Sequence, residues 1–195
     1  MPRRAFLMGL LSVAPACAPP IEQVDLTHPS ELPVPEEYEP RLVDAPGYAA
    51  RELHVFPDTF TLLWTHLGGR ATRYVVGIGR PGRYYSGSFY VGDKREWPMW
   101  TPTTAMLRDN PELYGPYEAG MPGGPYNPLG ARAFYLYRSN GRDSLLRIHG
   151  THDIRGLGRE VSNGCVRMAN THVIPLYSEV PIGTRVVLHS PGELV

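Results

Sequence analysis

Glycine and proline interrupt this chain too often for long helices. There are 21 of each in 195 residues, about a fifth of the sequence and well above ordinary usage. Twelve tyrosines and many short apolar runs between these breakers favour strands joined by turns over a helical bundle. Leu53–Phe56, Thr59–Trp64, Arg73–Ile78 and Ser88–Val91 read as short strands. Ala131–Tyr137 alternates as a strand should, Ser139-Asn140-Gly141 is a hairpin turn, and Ser144–Ile148 is the return strand. Val173, Ile174, Tyr177 and Val180 fit one face of a short helix capped by Asn170 or Thr171, with Pro175 awkward unless it falls in the first turn. Arg185–His189 reads as a closing strand. Residues 92–128 read as irregular, and a loop that long in a compact domain is functional or disordered. No internal repeat is evident, so the expectation is one mostly β domain with a late helix.

The N-terminal segment reads as an address rather than as structure. Met1-Pro2-Arg3-Arg4 is a basic start, Ala5–Ala16 is apolar but too short to span a bilayer, and Ala14-Pro15-Ala16 fits a small-residue cleavage site. Residues 1–18 are therefore expected to be an export signal, and Arg3-Arg4-Ala5-Phe6-Leu7 resembles the twin-arginine type. Residues 19–50 read as a Pro-rich, extended spacer, with 51–195 as the folded domain. Lysine plus arginine equals aspartate plus glutamate at 19 each, which argues against nucleic acid as a main partner. Destination follows from the signal: periplasm or cell envelope, with Cys17 as a candidate lipid carrier despite a poor lipobox. That site is the one expected membrane contact.

Cysteine usage then draws attention to Cys165. Exported proteins normally pair their cysteines, and the chain holds only two. Cys165 follows Gly164 in a small-residue turn. His149 ends an apolar strand, where catalytic side chains often sit. A thiol near backbone N–H groups and an imidazolium has its pKa lowered and becomes a nucleophile. His149 would serve as its base and later as an acid. Buried cysteines are also common as small hydrophobes, so on chemistry alone nucleophile and structural cysteine stand as equal readings. A third reading is zinc held by His149, His152 and Cys165, which lacks a clear fourth ligand.

The segment Ile148-His149-Gly150-Thr151, followed after twelve residues counted from Gly150 by Ser162-Asn163-Gly164-Cys165-Val166-Arg167-Met168, resembles the catalytic motif of the L,D-transpeptidases, the YkuD or ErfK/YbiS/YcfS/YnhG family. Asn127–Ala133 and Val180–Val186 resemble the family's strand before the histidine and its closing turn, so the likeness covers about residues 50–190. It implies a β-sandwich of mixed sheets with one or two short helices and a long loop, here 97–128, over the active-site groove. It implies Cys165 as nucleophile, His149 as base and acid, and the Gly150 carbonyl as the group orienting His149. The Gly164 and Cys165 amides match the oxyanion hole. Arg167 is a motif arginine for substrate carboxylate or for pinning the loop, and Ser162 is a turn residue. Asn163 stands where the family often has His. The implied substrates are peptidoglycan stem peptides, with an amine acceptor from a second stem or an anchored protein. Water as acceptor would make the chain an L,D-carboxypeptidase, and a groove used only for holding would make it a cell-wall binding domain. No metal or other cofactor is implied.

Overall fold

The computed structural model describes residues 33–193. The expected export signal, Cys17 and the first part of the expected spacer lie outside the described residues.

The chain folds into a mixed sheet of nine strands and a separate two-stranded ribbon. The main sheet contains β1 (Arg41–Asp44), β2 (Leu53–Phe56), β3 (Thr61–His66), β4 (Arg70–Val75), β6 (Gly87–Glu96), β7 (Arg132–Tyr137), β8 (Asp143–Thr151), β10 (Val166–Ala169) and β11 (Arg185–Leu188), in the order β1-β4-β3-β2-β11-β6-β7-β8-β10. The pairs β2–β11 and β8–β10 are parallel and the other neighbours antiparallel. The ribbon pairs β5 (Ile78–Gly79) with β9 (Glu160–Ser162). Among the described residues there are also three short α-helices, α1 (Thr104–Asp109), α2 (Pro111–Tyr114) and α3 (Asn170–Glu179). This is the mainly β, mixed-sheet class that the family resemblance implies.

The main sheet curls back on itself. On a flat sheet β4 and β10 would stand roughly 33 Å apart, at about 4.8 Å per strand. Yet Gly77, two residues past β4, exchanges backbone hydrogen bonds with Arg167 in β10, at 2.9 and 2.7 Å. The curl encloses one core in which Leu53, Val55, Leu62 and Val76 join Phe134, Ile148, Val166, Met168, Val173 and Leu176. A side chain at position 77 would run into the Gly156 carbonyl, so this seam needs glycine there.

Several elements differ from the sequence reading. The described end of the expected spacer is docked: β1 extends the sheet edge against β4, Val34 and Tyr38 pack against Val75, Leu157 and Ala169, and Glu39 reaches His172 at 3.3 Å. The strand expected at Arg73–Ile78 begins at Arg70, ends at Val75 and is followed by the separate β5. Residues 92–128 are not wholly irregular. Thr103 caps α1 through its side chain, and Asn110 caps α2 with Pro111 in the first turn, both standard start signals. Pro175 lies well inside α3, not in its first turn. It is exposed, and Lys94 Nζ donates to the Tyr177 and Val180 carbonyls at the helix end, at 2.5 and 2.6 Å.

Asn170 does not cap α3 either. Its side-chain oxygen accepts the Ala131 N–H at 2.9 Å in a buried setting, leaving Ala169 at the cap position with no side-chain bond. This bond ties α3 to the start of β7. Asn170→Ala would strand the Ala131 N–H in the interior, and a stability loss of about 1–3 kcal/mol is expected, read as a lower midpoint in urea unfolding.

Candidate active site

The register of β8 and β10 builds the site. Val166 pairs with Ile148 and Arg167 with His149, so Cys165 falls beside Arg147. Side chains alternate along strands. Leu146, Ile148, Val166 and Met168 turn into the core, which sends Arg147, His149, Cys165 and Arg167 to the opposite side. All four line a cleft of about 600 Å³ whose far wall is built from Trp100, Met106, Leu113 and Tyr114.

Cys165 sits at the end of a tight loop. Ser162 ties both ends: its hydroxyl donates to the Cys165 carbonyl at 2.6 Å and accepts the Gly164 N–H at 3.0 Å. The expectation for Gly164 is corrected here, because its amide already serves Ser162 and is not free for an oxyanion. The Cys165 amide has no protein partner among the described residues. Gly164 has φ of 129°, a conformation that favours glycine, and a side chain there would crowd the Arg83 carbonyl at 3.1 Å. Asn163 is exposed and accepts a hydrogen bond from Arg80.

His149 is buried, with its ring nitrogen Nδ1 2.7 Å from the Gly150 carbonyl. A carbonyl only accepts, so the hydrogen-bond network assigns the proton to Nδ1 and leaves Nε2 as the acceptor. Gly150 itself is wedged against Asn170 and Val173, with no room for a side chain. Burial, and next the Arg167 guanidinium, push the His149 pKa down to about 3. Cys165 keeps some surface open to the cleft, but burial still pushes its thiol up, against smaller opposing effects from the Arg147 backbone N–H and guanidinium. Burial thus favours the protonated thiol and the neutral imidazole, where proximity to an imidazolium alone would lower the thiol.

The Arg167 backbone forms the seam with Gly77, and the Arg167 Nε is buried without a partner among the described residues. Residues 97–128 do line the cleft through Trp100, α1 and α2. Trp100 packs against Tyr114 and Tyr117, and Trp97, Tyr117 and Tyr126 are exposed. His152 stacks edge-on against Tyr126, and no cluster of three or more His, Cys, Asp or Glu placed to share a metal ion occurs among the described residues. Arg80, Arg83, Asp109 and Arg147 also line the cleft and were not singled out by sequence. Nothing in their spacing marks them, since turn and register bring them in.

The fold is a mainly β domain of mixed sheets with a cleft on the side of Cys165 and His149. Solved L,D-transpeptidases of Enterococcus faecium and Mycobacterium tuberculosis share the fold, with TM-scores of 0.53 and 0.52, identities of 16% and 17%, and coverage of 72% and 71% of this chain and 50% and 60% of theirs. A Brucella melitensis structure described as a probable carnitine operon oxidoreductase aligns with TM-score 0.55 and 36% identity, over 87% of this chain and 98% of that one; that description concerns that protein alone. Residues 50–188 match the YkuD L,D-transpeptidase catalytic domain, and the chain belongs to that family. It is 38% identical over 115 residues to Escherichia coli ErfK/SrfK and 39% over 113 residues to Escherichia coli YbiS, both described as probable L,D-transpeptidases. The matched segments span 58% and 57% of this chain but only 35% of either relative.

Proposed function

We propose that this chain is an exported L,D-transpeptidase that acts on peptidoglycan stem peptides through a Cys165 thioester. The observation that carries the reading is the placement of Cys165 and His149 on the cleft side of the paired β8 and β10, with the Gly150 carbonyl fixing the His149 tautomer.

As Cys165 Sγ attacks the carbonyl carbon of the L-centre before the terminal D-alanine, His149 Nε2 takes the thiol proton. The carbonyl oxygen gains charge and is met by the Cys165 amide. Collapse breaks the peptide C–N bond, His149 returns its proton to the departing amine, and D-alanine leaves. The acyl group remains on sulfur. An acceptor amine then gives a proton to His149 and attacks the thioester, and the sulfur leaves and is reprotonated. An amine from a second stem yields a 3→3 crosslink. Starting from a neutral pair suits this sequence, because each proton that His149 takes is returned within the same half-reaction.

The test is incubation of the purified chain with a disaccharide-tetrapeptide, followed by mass spectrometry. Loss of D-alanine together with a crosslinked dimer is the expected result. Loss of D-alanine with no dimer, even with added amine, would replace crosslinking by L,D-carboxypeptidase trimming. An unchanged substrate would overturn the reading.

A further inference from the structure

Four guanidinium groups line the cleft, those of Arg80, Arg83, Arg147 and Arg167, against a single carboxylate, Asp109. Arg83 is paired with that carboxylate at 3.3 Å. Arg147 forks onto Asp143 at 2.7 and 2.8 Å. Arg80 differs. Among the described residues it meets no carboxylate, and its side chain donates instead to the neutral amide oxygen of Asn163.

That bond fixes more than Arg80. A guanidinium has only donors, so it must face the Asn163 oxygen, and the NH2 group of Asn163 points elsewhere. Neither this NH2 nor the remaining Arg80 N–H groups has a protein partner among the described residues. The corner is also held in place from below. The Arg80 N–H donates to the Ser162 carbonyl at 3.0 Å, and the Arg80 carbonyl accepts from Arg83 at 2.7 Å. The turn admits no side chain at Gly79, where a Cβ would lie 2.6 Å from the Arg83 carbonyl. The result is a cluster made only of donors, carrying one uncompensated positive charge, two residues from Cys165.

A donor-only corner with a planar guanidinium suits a carboxylate. We propose that Arg80, latched by Asn163, receives the terminal carboxylate of the donor stem peptide and so selects donors that end one residue past the bond attacked by Cys165. This rests on the acyl-transfer reading above. The carboxylate carbon of the departing residue lies three bonds from the attacked carbonyl carbon, and Arg80, Asn163 and Cys165 line the same cleft. The same charge disfavours a cationic acceptor amine there, which helps keep donor and acceptor in separate parts of the cleft.

The experiment compares a tetrapeptide donor with the same peptide carrying a C-terminal amide. The unmodified chain is expected to prefer the acid in kcat/KM by about tenfold, the low end for a charge-assisted pair because Arg80 is exposed. Arg80→Gln should bring that ratio to near one. Asn163→Asp, which gives Arg80 a carboxylate from the protein itself, should do the same. A ratio that persists in Arg80→Gln, with both donors slowed alike, overturns the proposal. The same two peptides are titrated by calorimetry into Cys165→Ala and into Cys165→Ala/Arg80→Gln. If turnover is absent but the acid binds about tenfold tighter and Arg80→Gln removes the difference, the carboxylate corner stands and the transpeptidase reading falls. Turnover with no preference for the acid sinks the Arg80 proposal alone.

Discussion

Cys165→Ala is expected to stop release of D-alanine from a disaccharide-tetrapeptide, with a rate loss of at least about a thousandfold. The loss is large because the nearest hydroxyl on the loop, that of Ser162, is committed to the Cys165 carbonyl and the Gly164 N–H and cannot stand in for the thiol. The substitution removes one atom from a partly open position, so unfolding in urea should shift by less than about 1 kcal/mol. Product mass spectrometry checks the first statement and the unfolding midpoint the second. A variant that still releases D-alanine would rule out the thioester route. A variant that fails to fold would make Cys165 a structural residue.

His149→Gln is expected to cost about a hundredfold to ten-thousandfold in kcat, the range for a lost general acid–base, and also to change how stability responds to acid. In the unfolded chain a histidine takes up a proton near pH 6.5, while folded His149 does so only near about 3. Between those values the unfolded state binds more protons, so stability falls as pH falls from 6.5 toward 3. At roughly 1.4 kcal/mol per pH unit, full depression is worth on the order of 5 kcal/mol. His54 and His172 are also pushed down by burial, so the quantity to measure is the difference between the two proteins. Wild type should lose stability faster than His149→Gln over this window. Parallel curves would mean that His149 is not buried as a neutral ring. In the active enzyme, the same low pKa predicts kcat/KM nearly flat from pH 5 to 8, without the acid limb that a thiolate–imidazolium pair would show.

Much of the fold was readable because strands and turns carry local marks. The alternation of Ala131–Tyr137 and the Asn140-Gly141 turn foretell the β7–β8 hairpin. The elements that escaped have weak local signals or depend on distant partners. β1 is four residues inside a Pro-rich stretch and is exposed on most positions. β10 is equally short and gains its identity from pairing with β8. α1 and α2 had proper caps in Thr103 and Asn110, but surrounding prolines hid them. At the site, Cys165, His149 and Gly150 stand together in the motif and together in space. Arg147 reaches Cys165 only through strand register, and Arg80 only through the pairing of β5 with β9. The prior occupation of the Gly164 amide by Ser162 is a matter of loop geometry that spacing does not encode.

The neutral resting pair has a consequence for survival of the thiol. The thiolate is the form that attacks peroxides and disulfides, and the slow climb to sulfenic acid and beyond begins there. Burial favours the protonated form of the Cys165 thiol, so few thiolates are presented to oxidants. On the proposed mechanism, its reactivity is released only when a substrate carbonyl and His149 act on it together. A cysteine kept in this way can persist outside a reducing cytosol without a partner to hide behind.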